Sequence, residues 1–100
     1  MVQATTPTFV LTLPETVDLS QAANIYFSLR QKNVQINKSG DELVIDGQTV
    51  SVYLSQSETL QLVSGAAQIQ LNWTYANGAR ACSNIVSVQV SENLLKEVVE

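Results

Sequence analysis

Apolar and polar residues alternate with period two in one segment after another, Asp-Gly and Asn-Gly dipeptides fall between those segments, and no long 3.6-residue apolar period appears. Together these predict an all-β fold, an antiparallel β-sandwich. At 100 residues the chain has room for one domain. A hydrophobic fraction of 45% suffices for one core, whereas the charged fraction of 14% is well under the roughly 25% of ordinary soluble domains. Gln, Ser, Thr and Asn take the place of the missing charge.

The first strand is expected over residues 8 to 13, where Phe9, Leu11 and Leu13 share one face and Pro14 ends the run. Between Asn24 and Gln31 the alternation sets Ile25, Phe27 and Leu29 against Tyr26, Ser28 and Arg30. Lys32-Asn33 is a turn, Val34 and Ile36 resume the alternation, and Ser39-Gly40-Asp41 supplies the next turn. Leu43 to Ile45, Asp46-Gly47 and Thr49 to Leu54 read as a hairpin, because Asp-Gly accepts the positive φ angles of a two-residue turn. Ser55-Gln56-Ser57-Glu58 has the spacing of a capping box and predicts one helical turn. Leu60 and Leu62 anchor that corner, and Gly65 suits a left-handed exit. Ala67 to Tyr75 is a full strand with Ile69, Leu71, Trp73 and Tyr75 on one face. Asn77-Gly78 is another hairpin turn, and Val86, Val88 and Val90 form the last strand. Ile85 is out of phase with those valines, and a bulge near Ser83 or Asn84 restores the phase.

About seven short strands with turn signals between them indicate a sandwich of the immunoglobulin-like kind over residues 1 to 91, a small barrel being the competing architecture. Residues 92 to 100 change character. Leu94, Leu95 and Val98 fall on one side of a short C-terminal helical segment, which must dock or fray because so short a helix is marginal alone.

Composition removes whole classes of chemistry. The chain has no His and one Cys, so a Ser-His or Cys-His pair, a Cys/His zinc site and an internal disulfide are all excluded. Five Lys and Arg against nine Asp and Glu give a net charge of -4, which opposes phosphate-driven binding of nucleic acid. Asp41, Glu42 and Asp46 fall in turns, where solvated carboxylates are common, and their spacing matches no calcium loop. Cys82 is expected to be an inert, half-buried thiol. No cofactor is expected, and no enzymatic activity. The threonines and prolines of the first 15 residues break any signal-like apolar run, and no stretch approaches the ~20 residues of a membrane span. Asn37-Lys38-Ser39 and Asn72-Trp73-Thr74 match the glycosylation acceptor pattern, which carries no weight without a secretory route.

Contact residues are therefore the candidates for function. Tyr26 and Tyr53 oppose the aliphatic faces of their strands and are placed to meet a partner; an ordinary cross-strand surface pair is the plainer alternative. Leu94, Leu95 and Val98 either insert into a neighbouring subunit or close one end of their own sandwich. Trp73 and Tyr75 share a face with Ile69 and Leu71, which favours core packing over a sugar-stacking platform. The outer faces, rich in Gln, Asn, Ser and Thr, are cheaper to desolvate than charged ones and suit packing between subunits.

Several segments occur in a familiar order: Thr5-Thr6-Pro7-Thr8-Phe9 with Leu13-Pro14, the corner from Leu54 to Leu60, Ile69-Gln70-Leu71, and Ser83-Asn84-Ile85-Val86 ahead of the Leu-Leu-Lys-Glu-Val tail. In these the chain resembles small structural proteins of Gram-positive siphophages and prophages, whose pattern runs TTPTxxFTLP, LTQEETL, a xIQxR strand and an acidic tail. More loosely, it is similar to the N-terminal immunoglobulin-like domain of phage baseplate upper proteins. The resemblance implies a virion component of the tail or baseplate, assembled in the bacterial cytoplasm and partnered by other virion proteins or by its own copies, with no membrane partner. A capsid decoration protein or a glycan- or receptor-binding module is the alternative. The resemblance implies no catalytic residue.

Overall fold

The computed structural model describes residues 1 to 99. Among the described residues eight antiparallel strands form two sheets. The three-stranded sheet runs β1 (Thr8–Thr12), β5 (Thr49–Tyr53), β4 (Leu43–Asp46), and the five-stranded sheet runs β3 (Val34–Ser39), β2 (Ala22–Gln31), β6 (Gly65–Tyr75), with β7 (Arg80–Cys82) and β8 (Val86–Val90) both on the far edge of β6. One helical turn, α1 (Gln56–Thr59), carries the chain from β5 to β6. The molecule measures 46 × 26 × 21 Å.

Each sheet turns one alternate set of side chains inward. Val50 and Val52 of β5 meet Phe27 and Leu29 of β2 and Leu71 and Trp73 of β6 in a single apolar cluster, in which Phe27, Leu29, Val50 and Leu71 have no solvent exposure. Phe9 and Phe27 stack across the two sheets with ring centroids 6.1 Å apart. Trp73 is 3% exposed, with its indole N–H donating to the Tyr75 hydroxyl at 2.9 Å, so it belongs to the core and offers no platform to a sugar.

The expected turns form with local differences. In the β4–β5 hairpin the ladder closes at Asp46 and Thr49, leaving Gly47-Gln48 as the loop, and Gly47 alone has positive φ, +59°. A glycine first in a two-residue loop is the arrangement of a type II′ turn, which moves the turn one residue past the expected Asp46-Gly47. The β6–β7 loop is three residues long, Ala76 to Gly78, because the Tyr75 N–H donates to the Ala79 carbonyl at 2.9 Å and Gly78 takes the left-handed position at φ +88°. Lys32 turns the β2–β3 hairpin at φ +53°. The capping box is present in both directions, Glu58 N–H to Ser55 Oγ at 3.2 Å and Ser55 N–H to Glu58 Oε1 at 2.9 Å.

Two residues of β6, Gln70 and Leu71, lie opposite three, Ser83 to Ile85, so a one-residue bulge separates β7 from β8. The Ser83 hydroxyl accepts from the Leu71 N–H at 2.9 Å, supplying the acceptor that the interrupted ladder lacks. β7 is the strand that brings the number to eight; three residues are too few to show an alternation. It turns Ala81 inward and leaves Cys82 exposed, which corrects the half-buried thiol expected from sequence.

The C-terminal segment differs too. Residues 92 to 99 contain no helix, and Glu100 lies outside the described residues. The Asn93 side chain accepts from the Leu95 N–H at 3.1 Å, an Asx-type bond that competes with helix formation. The Gln56 amide then brackets Val99, donating to its carbonyl and accepting from its N–H, both at 2.9 Å. The segment is an arm tied to α1.

Candidate functional site

The outer face of the five-stranded sheet is built by the side chains that alternate with the core set. Tyr26, Ser28 and Arg30 of β2 lie between Ser39, Asn37 and Gln35 of β3 and Asn72, Gln70 and Gln68 of β6 in direct register. The short polar groups bond to one another: Ser28 Oγ donates to Asn37 Oδ1 at 2.8 Å, and Gln35 Nε2 donates to the same oxygen at 3.1 Å. Arg80, arriving from β7, directs Nε and Nη2 to Asn72 Oδ1 at 3.3 and 3.0 Å. Gln70 Nε2 reaches the Ser83 carbonyl at 2.9 Å, so the bulge also fixes one wall of the face.

Two shallow clefts of about 270 and 470 Å³ open on this surface and share Ser28, Asn72 and Arg80. Arg30, Gln35 and Gln68 line the first, and Tyr26, 42% exposed, lines the second. Among the described residues no carboxylate lines either cleft.

The charges are sorted unevenly over the molecule. Lys38 is engaged at the corner, 2.7 Å from Glu58 and 3.6 Å from Glu42, joining the edge strand β3 to α1. Burial pushes the Glu58 carboxyl up, but the Lys38 bond and the Ser55 bonds outweigh it and hold the group below its ordinary value. The Lys38 ammonium is raised, chiefly by its bond to Glu58, against the opposing effect of burial. Lys96 pairs with Glu92 at 2.8 Å on the arm. Arg30, Lys32 and Arg80 enter no ion pair among the described residues, and two of the three line the clefted face.

The other sequence candidates lie elsewhere. Tyr53, 54% exposed, belongs to the outer face of the three-stranded sheet, so the packed core stands between it and Tyr26. Val10 and Val44 flank Ser51 on that same face, each more than 60% exposed. Leu94, Leu95 and Val98 project from the arm, Leu94 at 95% exposure. Leu11, Leu13, Val17, Trp73, Tyr75 and Val86 help to line a third cleft, about 550 Å³, between the open edge of β1 and the β7–β8 edge. Sequence reasoning missed this cleft, since its two walls come from edges that only the sheet order brings together.

Among the described residues no three His, Cys, Asp or Glu side chains converge to hold a metal ion, and no helix is long and apolar enough to cross a membrane. Comparison with protein-family models, with curated proteins and with solved structures returns no match for this chain.

Proposed function

We propose that this chain is a non-enzymatic structural or adaptor protein with an immunoglobulin-like sandwich, a virion component of a phage tail or baseplate that assembles by contacts between proteins. The observation that carries the reading is the arm: Leu94, Leu95, Val98 and Val99 all face solvent on a segment without helix or strand. Large aliphatic groups grouped in this way mark an interaction surface, because leaving them wet forgoes their burial energy.

The arm leaves the sandwich beside Gly65, where β6 begins, and the 550 Å³ apolar cleft lies around Trp73 and Tyr75, where β6 ends. The ends of β6, Gly65 and Tyr75, are ten strand steps or roughly 33 Å apart, and the cleft extends from the Tyr75 end back to Val86, opposite Ile69. An arm at one pole and an apolar cleft at the other fit head-to-tail contact between copies, which closes into a ring or runs on as a filament. The phage assignment rests on the ordered segments from Thr5 to the Leu-Leu-Lys-Glu-Val tail. Proteomics of purified particles from a host carrying the gene tests it: the chain is expected at the copy number of a structural protein, and its absence from the particles overturns the assignment.

The alternative, a glycan- or receptor-binding module, is favoured by a different observation, the amide-lined and carboxylate-free face of the five-stranded sheet.

A further inference from the structure

We infer that the clefted outer face of the five-stranded sheet is a binding site for an acidic oligosaccharide, with Arg30 and Arg80 meeting its anionic groups, the amides of Gln35, Gln68 and Asn72 meeting its hydroxyls, and Tyr26 stacking on a sugar ring. This rests on the second reading above, a glycan-binding face, and names its ligand class; it does not depend on the assembly role.

Charge is the first ground. The chain carries a net charge of -4, yet this face holds two arginines and no carboxylate among its described lining residues. A guanidinium has five N–H donors in a planar fork. Arg80 spends two of them on Asn72 Oδ1, which fixes the plane of the group and leaves the others for a ligand. A carboxylate or phosphate matches that fork with two parallel bonds.

The second ground is the chemistry between the arginines. A side-chain amide donates and accepts at once, as a sugar hydroxyl does. Gln68 has both functions unpartnered among the described residues, and Asn37 uses only its oxygen. Tyr26 stands at the rim of the 470 Å³ cleft with its ring half in solvent. The two clefts share a wall and fall within or near the ~300–1,000 Å³ of small-ligand pockets.

Other occupants fit less well. A nucleic acid strand needs several cations and a row of aromatic platforms, and this face has one tyrosine. A protein partner packs on such a polar face only if it brings acceptors for both arginines, and the test below separates that case.

The test is calorimetric titration of the full chain with tetragalacturonate, with a phosphorylated maltotetraose, and with neutral maltotetraose. Binding of either anionic probe, weakened about tenfold or more by Arg30→Gln or Arg80→Gln and weakened by added salt, supports the site. The two anionic probes tell a carboxylate ligand from a phosphate ligand. Tyr26→Ala should weaken the same probe, and an unchanged thermal midpoint for Arg30→Gln keeps the result from being a folding defect. The inference is overturned if neither anionic probe binds, if maltotetraose binds as well as they do, or if the arginine variants bind undiminished. It is overturned equally if those variants lose only association with a protein partner.

Discussion

Trp73 and Glu58 show how single residues hold these packed sheets together, and each makes a prediction. Trp73 is the largest side chain in the core, so Trp73→Ala should cost about 3–5 kcal/mol in urea unfolding, through lost transfer energy and the cavity left behind. A loss under about 1 kcal/mol would place the ring at the surface. Glu58 closes the cap of α1 and receives the Lys38 ammonium; glutamine still accepts at the cap, so Glu58→Gln removes the ion pair alone and should cost about 1 kcal/mol near neutral pH. Glu58 has its folded pKa lowered, so its stabilisation is complete above its unfolded value of about 4.3 and disappears as pH falls through the folded value. Lys38, raised, contributes below its unfolded value of about 10.4 and loses that contribution as pH rises through the folded one. The gap between wild type and Glu58→Gln should therefore be widest between those limits and shrink on acidification; a gap that stays constant down to about pH 3 would remove the ion pair from the account. Sequence alone made Trp73 and the capping box legible, because period and spacing are local. It did not reveal that glutamines serve as internal staples. Gln31, 5% exposed, donates to the Val63 carbonyl at 2.7 Å and accepts from the Val63 N–H at 2.8 Å, a pairing across 32 positions that no local pattern encodes.

At the scale of elements, strands with clean alternation were legible and their connections less so. The out-of-phase Ile85 disclosed the bulge because a one-residue insertion inverts every later side chain. The hairpin at Gly47 slipped by one residue, since a dipeptide preference does not fix which ladder pair closes last. Gly47 sits at φ +59° with open space where a Cβ would go, so Gly47→Ala isolates backbone strain. We expect a loss of about 1 kcal/mol by chemical denaturation, and a smaller one for Gly47→Asn, which tolerates this region. No loss for alanine would contradict the type II′ turn. The arm was misread as a helix because Leu94, Leu95 and Val98 have helical spacing. The competing side-chain bonds, from Asn93 within the arm and from Gln56 on α1, prevail over so weak a local preference.

The whole molecule adds what neither residues nor elements contain, namely which edges and faces become neighbours. β1 closes one sheet and β7 and β8 the other, and the apolar cleft exists only because those edges lie side by side. The cationic sorting of the polar face is likewise a product of register, since Arg30 and Arg80 are 50 positions apart in the chain. The proposed head-to-tail assembly rests on the arm leaving at the Gly65 end of β6 while the apolar cleft surrounds its Tyr75 end. The most direct measurement is the absolute mass in solution, by light scattering after size-exclusion chromatography, of the full chain and of a version lacking residues 92 to 100. The account predicts a defined oligomer or a concentration-dependent series for the full chain and a monomer after truncation. A monomer in both forms, or an oligomer that survives loss of the arm, would contradict it.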